Sequence, residues 1–390
     1  MSIGTCPRDL LPCRLRVKTL PNRIAPAAGS RRSSRGSVAP SGIRVNSLPR
    51  RLRPHNVSQP KVDEIPLQCR WILINDAGVR AMNASGKARV VSLGFHQDPW
   101  ARVVRRVDEE GMRGADLIVL PETCNDQSRD QPETLEGPTV SIMAELARRH
   151  NVYIVCPIDR QQDGFRLNSA VLLDRGGNIV YVYDKVYPYW SEFDANPPVD
   201  VVDSVPQVVE TDFGRLGIAI CFDVNFPDVW QALAEGGADL IVWPSAYSAG
   251  RALQAHALNH HYYILTSTFT RDCIVYDITG EEILYEKSEG LHVTRTILDL
   301  DRGIYHENFN IDKRDQLLAE HGGTIEMEQW LEREQWFVLR SLDPVVSART
   351  LAREYGLEEL RDYKLRSCRQ LHEMRVPGPE PVSSMSGLTV

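Results

Sequence analysis

The 390-residue sequence lacks any run of about 18 consecutive apolar residues, the length that a membrane-spanning helix requires. Its eight cysteines are few for this length and include no Cys-x-x-Cys pair, which argues against a disulfide-stapled scaffold, a zinc ribbon and a thioredoxin-type centre. Apolar residues make up 42% of the chain and charged residues 25%, a balance typical of globular proteins with a sizeable core. We therefore expect a reduced, cytoplasmic protein that does not span a membrane.

Positive charge is concentrated in the first 60 residues, which hold eleven Arg and one Lys against a single acid, Asp9. Because the whole chain carries −7, the remainder carries −18, and we expect no nucleic-acid partner for this acidic body. Residues 1–65 are rich in Ser, Pro and Arg, which predicts a low-order tail. Three interpretations of this tail stay open: a solvated extension, a transit peptide that would direct the protein to an organelle, or an arm that binds nucleic acid or a membrane surface.

Short apolar segments alternate with amphipathic ones from residue 88 onward, a pattern that predicts a layered α/β fold. The amphipathic segments 100–113 and 138–150 predict helices, and 215–223 predicts a strand. The nonapeptides "GADLIVLPE" (114–122) and "GADLIVWPS" (237–245) agree at seven of nine positions, which suggests two similar halves.

The chain thus divides into four segments. They are the tail at 1–65, an uncertain lead-in at 66–87, an α/β domain at 88–310, and a charged, largely helical C-terminal extension at 311–390.

Three reactive side chains each follow a predicted strand, namely Glu122, Lys185 and Cys221. Functional sites in layered α/β proteins collect at the carboxyl edge of the strands, so we expect these groups to converge. A free cysteine is mostly protonated at neutral pH and needs a base, which a buried carboxylate can supply. A neighbouring ammonium can stabilise the thiolate and a developing oxyanion. The ordered set predicts nucleophilic catalysis by a thiol.

This trio resembles the nitrilase, or carbon–nitrogen hydrolase, superfamily. The resemblance is carried in order by "LIVLPET" around Glu122, "VYVYDKVYP" around Lys185 and "GRLGIAICFDVNFPD" around Cys221. It implies a four-layer αββα sandwich of the nitrilase type, with Glu122 as general base, Lys185 as oxyanion stabiliser and Cys221 as nucleophile.

The resemblance also implies two supporting groups. A further glutamate lies between the lysine and the cysteine in this superfamily; Glu192 in "YPYWSEFD" is the best match, and Glu210 is the alternative. The backbone N–H of Phe222 would serve as a second donor to the oxyanion. The resemblance implies no cofactor or metal. It does imply association into a homodimer or larger homo-oligomer.

The implied function is hydrolysis of a non-peptide C–N bond in a small amide or N-carbamoyl compound, with a nitrilase as the alternative. Amides are favoured because Phe222-Asp223 follows the cysteine here, whereas nitrilases usually have Trp-Glu. We expect the shorter Asp223 side chain to be poorly placed to orient a nitrile-derived intermediate.

Two alternatives of another class are a non-catalytic binding protein and a metal-dependent hydrolase. The second would use His256 and His260, which are spaced i, i+4 on a predicted helix, but Ala257 stands where the glutamate of HExxH would be. A pocket-lining or internally satisfied histidine pair is the favoured interpretation. Trp190 and Trp243 flank the candidate site as either core or pocket wall.

Overall fold

The computed structural model describes residues 86–125 and 131–375. The predicted tail and nearly all of the lead-in lie outside these described residues. Within them, no helix has the length and apolarity that crossing a membrane would take.

The first half of the sandwich follows the order β-α-β-α-β-β-β. Its elements are β1 (Lys87–Gly94), α1 (Trp100–Met112), β2 (Leu117–Val119), α2 (Pro138–His150), β3 (Tyr153–Gln162), β4 (Phe165–Leu173) and β5 (Ile179–Asp184). A short helix and a short strand lead onward, α3 (Trp190–Phe193) and β6 (Val209–Thr211).

The second half repeats the order of the first. Its elements are β7 (Gly214–Ile218), α4 (Pro227–Glu235), β8 (Leu240–Ser245), α5 (Arg251–His260), β9 (Tyr263–Thr268), β10 (Asp272–Tyr276) and β11 (Glu282–Lys287). The rest of the described chain forms β12 (His292–Asp299), β13 (Gly303–His306), α6 (Ile311–His321), β14 (Ile325–Leu331), β15 (Trp336–Ser341), α7 (Ala348–Glu354) and α8 (Leu360–Met374).

Two six-stranded sheets lie face to face, with strand orders β12-β1-β2-β3-β4-β5 and β11-β10-β9-β8-β7-β6. The core between the sheets includes Val90, Leu117, Val119, Ile218, Leu240 and Val242. Helices α1 and α2 cover the outer face of the first sheet, and α4 and α5 cover that of the second. Adjacent residues of β1 alternate between layers, since Val90 faces the other sheet and Val91 faces the helices. The predicted four-layer αββα sandwich is confirmed.

The two halves share local geometry as well as element order. The carboxylate of Asp116 accepts the Arg89 N–H at 3.0 Å, and the carboxylate of Asp239 accepts the Arg215 N–H at 2.9 Å. The glycine that opens each matched nonapeptide has a positive φ, 81° at Gly114 and 76° in the second copy, which only glycine adopts without strain. The short sequence repeat therefore marks two structurally equivalent helix-to-strand turns, one between α1 and β2 and the other between α4 and β8.

Over residues 311–375 the C-terminal extension contains three helices, α6, α7 and α8, together with two strands that sequence analysis did not predict. Strands β14 and β15 form an antiparallel hairpin, and β13 completes a three-stranded sheet. Strand β14 was missed because apolar and polar residues alternate only over its first four positions, and the strand register then shifts between Met327 and Gln329.

A buried ion network ties this extension to the sandwich. Asp239, at the start of β8, accepts hydrogen bonds from Arg349 of α7 at 2.7 Å and from Arg361 of α8 at 2.9 Å. Arg349 also pairs with Glu359 at 2.8 Å. Since these groups are largely removed from water, each charge depends on its partners for compensation.

We predict that Asp239→Ala lowers the free energy of unfolding by about 3–5 kcal/mol, because it removes one of the two carboxylates that compensate the buried guanidinium groups of Arg349 and Arg361. Urea denaturation measures the change. The matched control is Glu145→Ala, which removes only exposed pairs with Arg148 and Arg149 and should cost less than about 1 kcal/mol. Equal stability of the two variants would contradict the network's importance.

Candidate active site

The predicted catalytic trio converges at the carboxyl ends of strands β2, β5 and β7. Glu122 lies three residues after β2, Lys185 directly follows β5, and Cys221 lies three residues after β7. The Lys185 ammonium donates to Glu122 Oε1 at 2.8 Å and to Glu192 Oε2 at 2.5 Å. All four side chains are buried, Cys221 being the most accessible at 6%. The structure thus brings together the four residues that sequence analysis selected.

Glu192, rather than the alternative Glu210, is the second carboxylate beside Lys185. It lies in α3, where its Oε2 also accepts the backbone N–H of Tyr189 at 2.7 Å. Glu210 is an exposed residue of β6, opposite Arg215 in the ladder. Glu192, which is buried and contacts Lys185, therefore fits the role better than the exposed Glu210.

Asn168 of β4 is a site residue that sequence analysis missed. Its Nδ2 donates to Glu122 Oε1 and to Glu192 Oε1, both at 2.7 Å. Its backbone carbonyl accepts the N–H of Lys185 at 2.8 Å. The only sequence signal was a polar amide within the otherwise apolar run of a central strand, "LNSAVLL".

Cys221 lies on a strained turn and not within a strand. The predicted strand 215–223 ends at Ile218, and a 3-10 helix begins at Cys221, whose φ of 45° is unfavourable for a residue with a Cβ. Trp243 Nε1 donates to the Cys221 carbonyl at 3.1 Å and holds the turn from the core side. A non-glycine residue held at positive φ is a recurrent feature of functional sites.

Asp223 secures this turn from within. Its Oδ2 accepts the Ile220 N–H at 2.9 Å and the Tyr183 hydroxyl at 2.7 Å, and its Oδ1 accepts the Tyr187 N–H at 2.9 Å. These competing hydrogen bonds explain why the strand ends early. Asp223 is therefore engaged by Tyr183 and by the backbone around the turn. The expectation that it is poorly placed to orient a nitrile-derived intermediate stays a prediction.

The electrostatics favour a neutral thiol beside a charged lysine. Burial and the charge of Glu122 raise the pKa of Cys221 to about 12, although Lys185 and a hydrogen bond to Ser245 oppose the shift. Burial alone would lower the pKa of Lys185, but the charges of Glu122, Cys221 and Glu192 outweigh it and raise that pKa. Thiolate formation thus requires transfer of the proton to a nearby base.

Phe222 and the two tryptophans take distinct positions. The N–H of Phe222 lies in the first turn of the 3-10 helix, ahead of its first backbone bond from Asp223 to Ile220, so it is placed to donate outside the helix. Trp243 is fully buried core, whereas Trp190 is 57% exposed. The Phe222 ring packs edge-on against Tyr189, at 5.2 Å between centroids.

The histidine pair is engaged in packing within α5. His256 Nε2 lies 2.9 Å from the Val224 carbonyl, and its ring stacks on Trp230 at 4.3 Å. Burial lowers the pKa of His256, and burial together with His256 lowers the pKa of His260 to about 4. Over residues 86–125 and 131–375, no group of three or more His, Cys, Asp or Glu is placed to hold a metal ion. The geometry favours an internally satisfied pair.

A family model described as carbon-nitrogen hydrolase matches residues 97–297 of this chain. The omega-amidase of Danio rerio is 24% identical over 194 residues, which cover 45% of this chain and 70% of that protein. The nitrilase of Pyrococcus abyssi is 29% identical over 180 residues, which cover 43% of this chain and 67% of that protein. The chain spans only 48% of the length of two further curated relatives, from Schizosaccharomyces pombe and Dictyostelium discoideum.

The fold is similar to that of a solved amidase. The structure of a cysteine-to-alanine mutant of the amidase from Nesterenkonia sp. AN1, in complex with butyramide, superposes with a TM-score of 0.50 at 18% identity. The match covers 62% of this chain and 99% of that one. At this identity the likeness concerns the fold alone.

We predict that iodoacetamide labels Cys221 at least about tenfold more slowly than Cys368 at pH 7. Cys221 is buried with a raised pKa, whereas Cys368 in α8 is exposed, and the thiolate is the species that reacts. Peptide mapping by mass spectrometry gives both rates, and the rate at Cys221 should increase between pH 7 and pH 9. Faster labelling of Cys221 than of Cys368 would show that its resting form is a thiolate.

Proposed function

The chain belongs to the carbon–nitrogen hydrolase family, and from this premise we propose that it hydrolyses a small amide or N-carbamoyl compound through a Cys221 thioester. The observation that carries the proposal is the ammonium of Lys185, fixed 2.8 Å from Glu122 Oε1 beside the strained Cys221 turn. A base, a fixed positive charge and a nucleophile at one sheet edge are the requirements of thiol-dependent acyl transfer.

Glu122 acts first as general base in this proposal. It takes the proton of the Cys221 thiol as sulfur attacks the carbonyl carbon, because the raised pKa of Cys221 keeps the resting thiol protonated. The Ala246 N–H, which donates to Glu122 Oε2 at 2.7 Å, fixes the orientation of the carboxylate for this transfer.

Lys185 and the Phe222 N–H then hold the negative charge that develops on the carbonyl oxygen. Removing one such donor from an oxyanion site typically lowers kcat by about 10²–10³. The raised pKa of Lys185 keeps this donor protonated throughout turnover.

The protonated Glu122 returns its proton to the leaving nitrogen, so that ammonia or an amine departs and a thioester remains on Cys221. Glu122 then removes a proton from water, the hydroxide attacks the thioester, and the acid is released with the thiol restored. Each step uses a side chain or backbone group of this chain, and the proposal invokes no cofactor.

We further propose a homodimer or larger homo-oligomer that acts in the cytoplasm, with an organelle as the alternative if residues 1–65 are a transit peptide. The acidic net charge of −18 outside the first 60 residues supports a small-molecule substrate over a nucleic acid.

Cys221→Ala should abolish hydrolysis, because no other group can form the thioester, and Cys221→Ser should retain almost none, because Glu122 is too weak a base for an alcohol. Ammonia release from a panel of amides and N-carbamoyl compounds measures activity, and circular dichroism verifies folding. The matched control is Cys273→Ala, which removes a buried thiol of β10 that the mechanism does not use. Wild-type turnover by Cys221→Ala would refute the thioester mechanism.

An amide should be hydrolysed with kcat/KM at least about tenfold above that of the matching nitrile, a difference of about 1.4 kcal/mol in barrier. The reason lies in Lys185 and the Phe222 N–H, which are placed for an oxyanion, whereas a nitrile adduct carries its charge on nitrogen and must be protonated and hydrated first. Matched amide and nitrile pairs compared by ammonia release provide the test. A faster nitrile would favour the nitrilase alternative within the same family.

A further inference from the structure

The two buried carboxylates of the site share the ammonium of Lys185. Lys185 donates to one oxygen of each, Glu122 Oε1 and Glu192 Oε2. Each carboxylate thus shares the charge of this ammonium with the other, in a region that is removed from solvent. In such surroundings an uncompensated charge is resolved either by proton uptake or by further hydrogen-bond donors.

Asn168 supplies further donors to the same two carboxylates. Its single Nδ2 reaches both Glu122 Oε1 and Glu192 Oε1 at 2.7 Å, and the residue is 2% exposed. The four groups form a closed ring in which each carboxylate is bonded to both the ammonium and the amide. An amide suits this position because it stabilises the carboxylates without adding a second cation that would weaken the base.

The backbone of Asn168 strengthens the coupling. Its carbonyl accepts the N–H of Lys185, so one residue of β4 determines both where the lysine leaves β5 and where its carboxylate partners lie. The next residue, Ser169, is equally buried but bonds to Arg160 and Asp184, away from the catalytic groups. The side chains of two adjacent residues on β4 therefore belong to two different hydrogen-bond networks.

We propose that Asn168 is a positioning residue that keeps Glu122 ionised and oriented as the general base. The test of this proposal by enzyme kinetics rests on the proposed function, whereas its test by cysteine alkylation does not. In this proposal the Nδ2 donor stabilises the ionised form of the two carboxylates, which would otherwise take up a proton.

The first test is the pH profile of the Asn168→Asp variant, which exchanges the donor for a third carboxylate at nearly constant shape. Mutual repulsion should raise the apparent pKa of the carboxylate group, so the acid limb of kcat/KM should move upward by at least about one pH unit. We expect kcat to decrease at least about 100-fold in Asn168→Asp and at least about tenfold in Asn168→Ala, with KM within about threefold in both.

The second test needs no substrate. In a Cys368→Ser background, the rate of Cys221 alkylation by iodoacetamide is followed from pH 6 to pH 10 in each variant. An extra negative charge beside Glu122 should shift the alkylation profile of Asn168→Asp upward by at least about half a pH unit. If the wild-type protein hydrolyses no amide, N-carbamoyl compound or nitrile, the proposed function fails, and this profile still decides the role of Asn168.

Ser169→Ala is the matched control, because it removes a buried hydrogen-bonding group from the same strand and should lower stability without moving either pH profile. If Asn168→Asp does not fold, the same pH profiles are measured on Asn168→Ala. The proposal is overturned if folded Asn168 variants keep the wild-type pH profiles and kcat, or if Ser169→Ala shifts them equally.

Discussion

The contact between Lys185 and the two glutamates is the constraint on which the rest of the site depends. An ammonium and two carboxylates are buried where the carboxyl ends of β2 and β5 meet, and the Lys185–Glu122 distance is 2.8 Å. Isolated charges at such a position would be strongly unfavourable, so each is tolerated only because the others are present. Removal of one member of a buried pair typically lowers the free energy of unfolding by about 3–5 kcal/mol. The stability of the fold therefore depends on the same residues as the proposed active site.

The same burial explains how the thiol is controlled. The loss of solvent and the field of Glu122 raise the pKa of Cys221. In the proposed mechanism, the thiol therefore stays protonated until it attacks a substrate carbonyl. Asp223 and Trp243 hold the turn that presents the thiol, and neither has to contact the substrate to do so. The strained backbone conformation of Cys221 is thus maintained by hydrogen bonds from the surrounding core.

Apolar periodicity and motif order made much of this predictable. Helix α2 occupies the predicted range 138–150, and Glu122, Lys185 and Cys221 meet because strands of both sheets end at the same edge. Asn168 was not predictable, since its contact with Glu122 spans 46 residues and depends on the register between strands. The early end of β7 was hidden for a similar reason, because the side chain of Asp223 overrides the strand propensity of its neighbours.

The repeated halves suggest how one scaffold came to hold an asymmetric site. The matched nonapeptides agree through their strand and differ at the last position, where the first has Glu122 and the second has Ser245. Both ends contribute to the same centre: Glu122 bonds to the lysine and to the Ala246 N–H, and Ser245 hydrogen-bonds to Cys221 and moderates its raised pKa. The two matched strands thus end beside one centre, with the carboxylate of Glu122 after the first and the hydroxyl of Ser245 at the end of the second. The two halves therefore share equivalent strands, and they differ in the residues at or just after the ends of those strands.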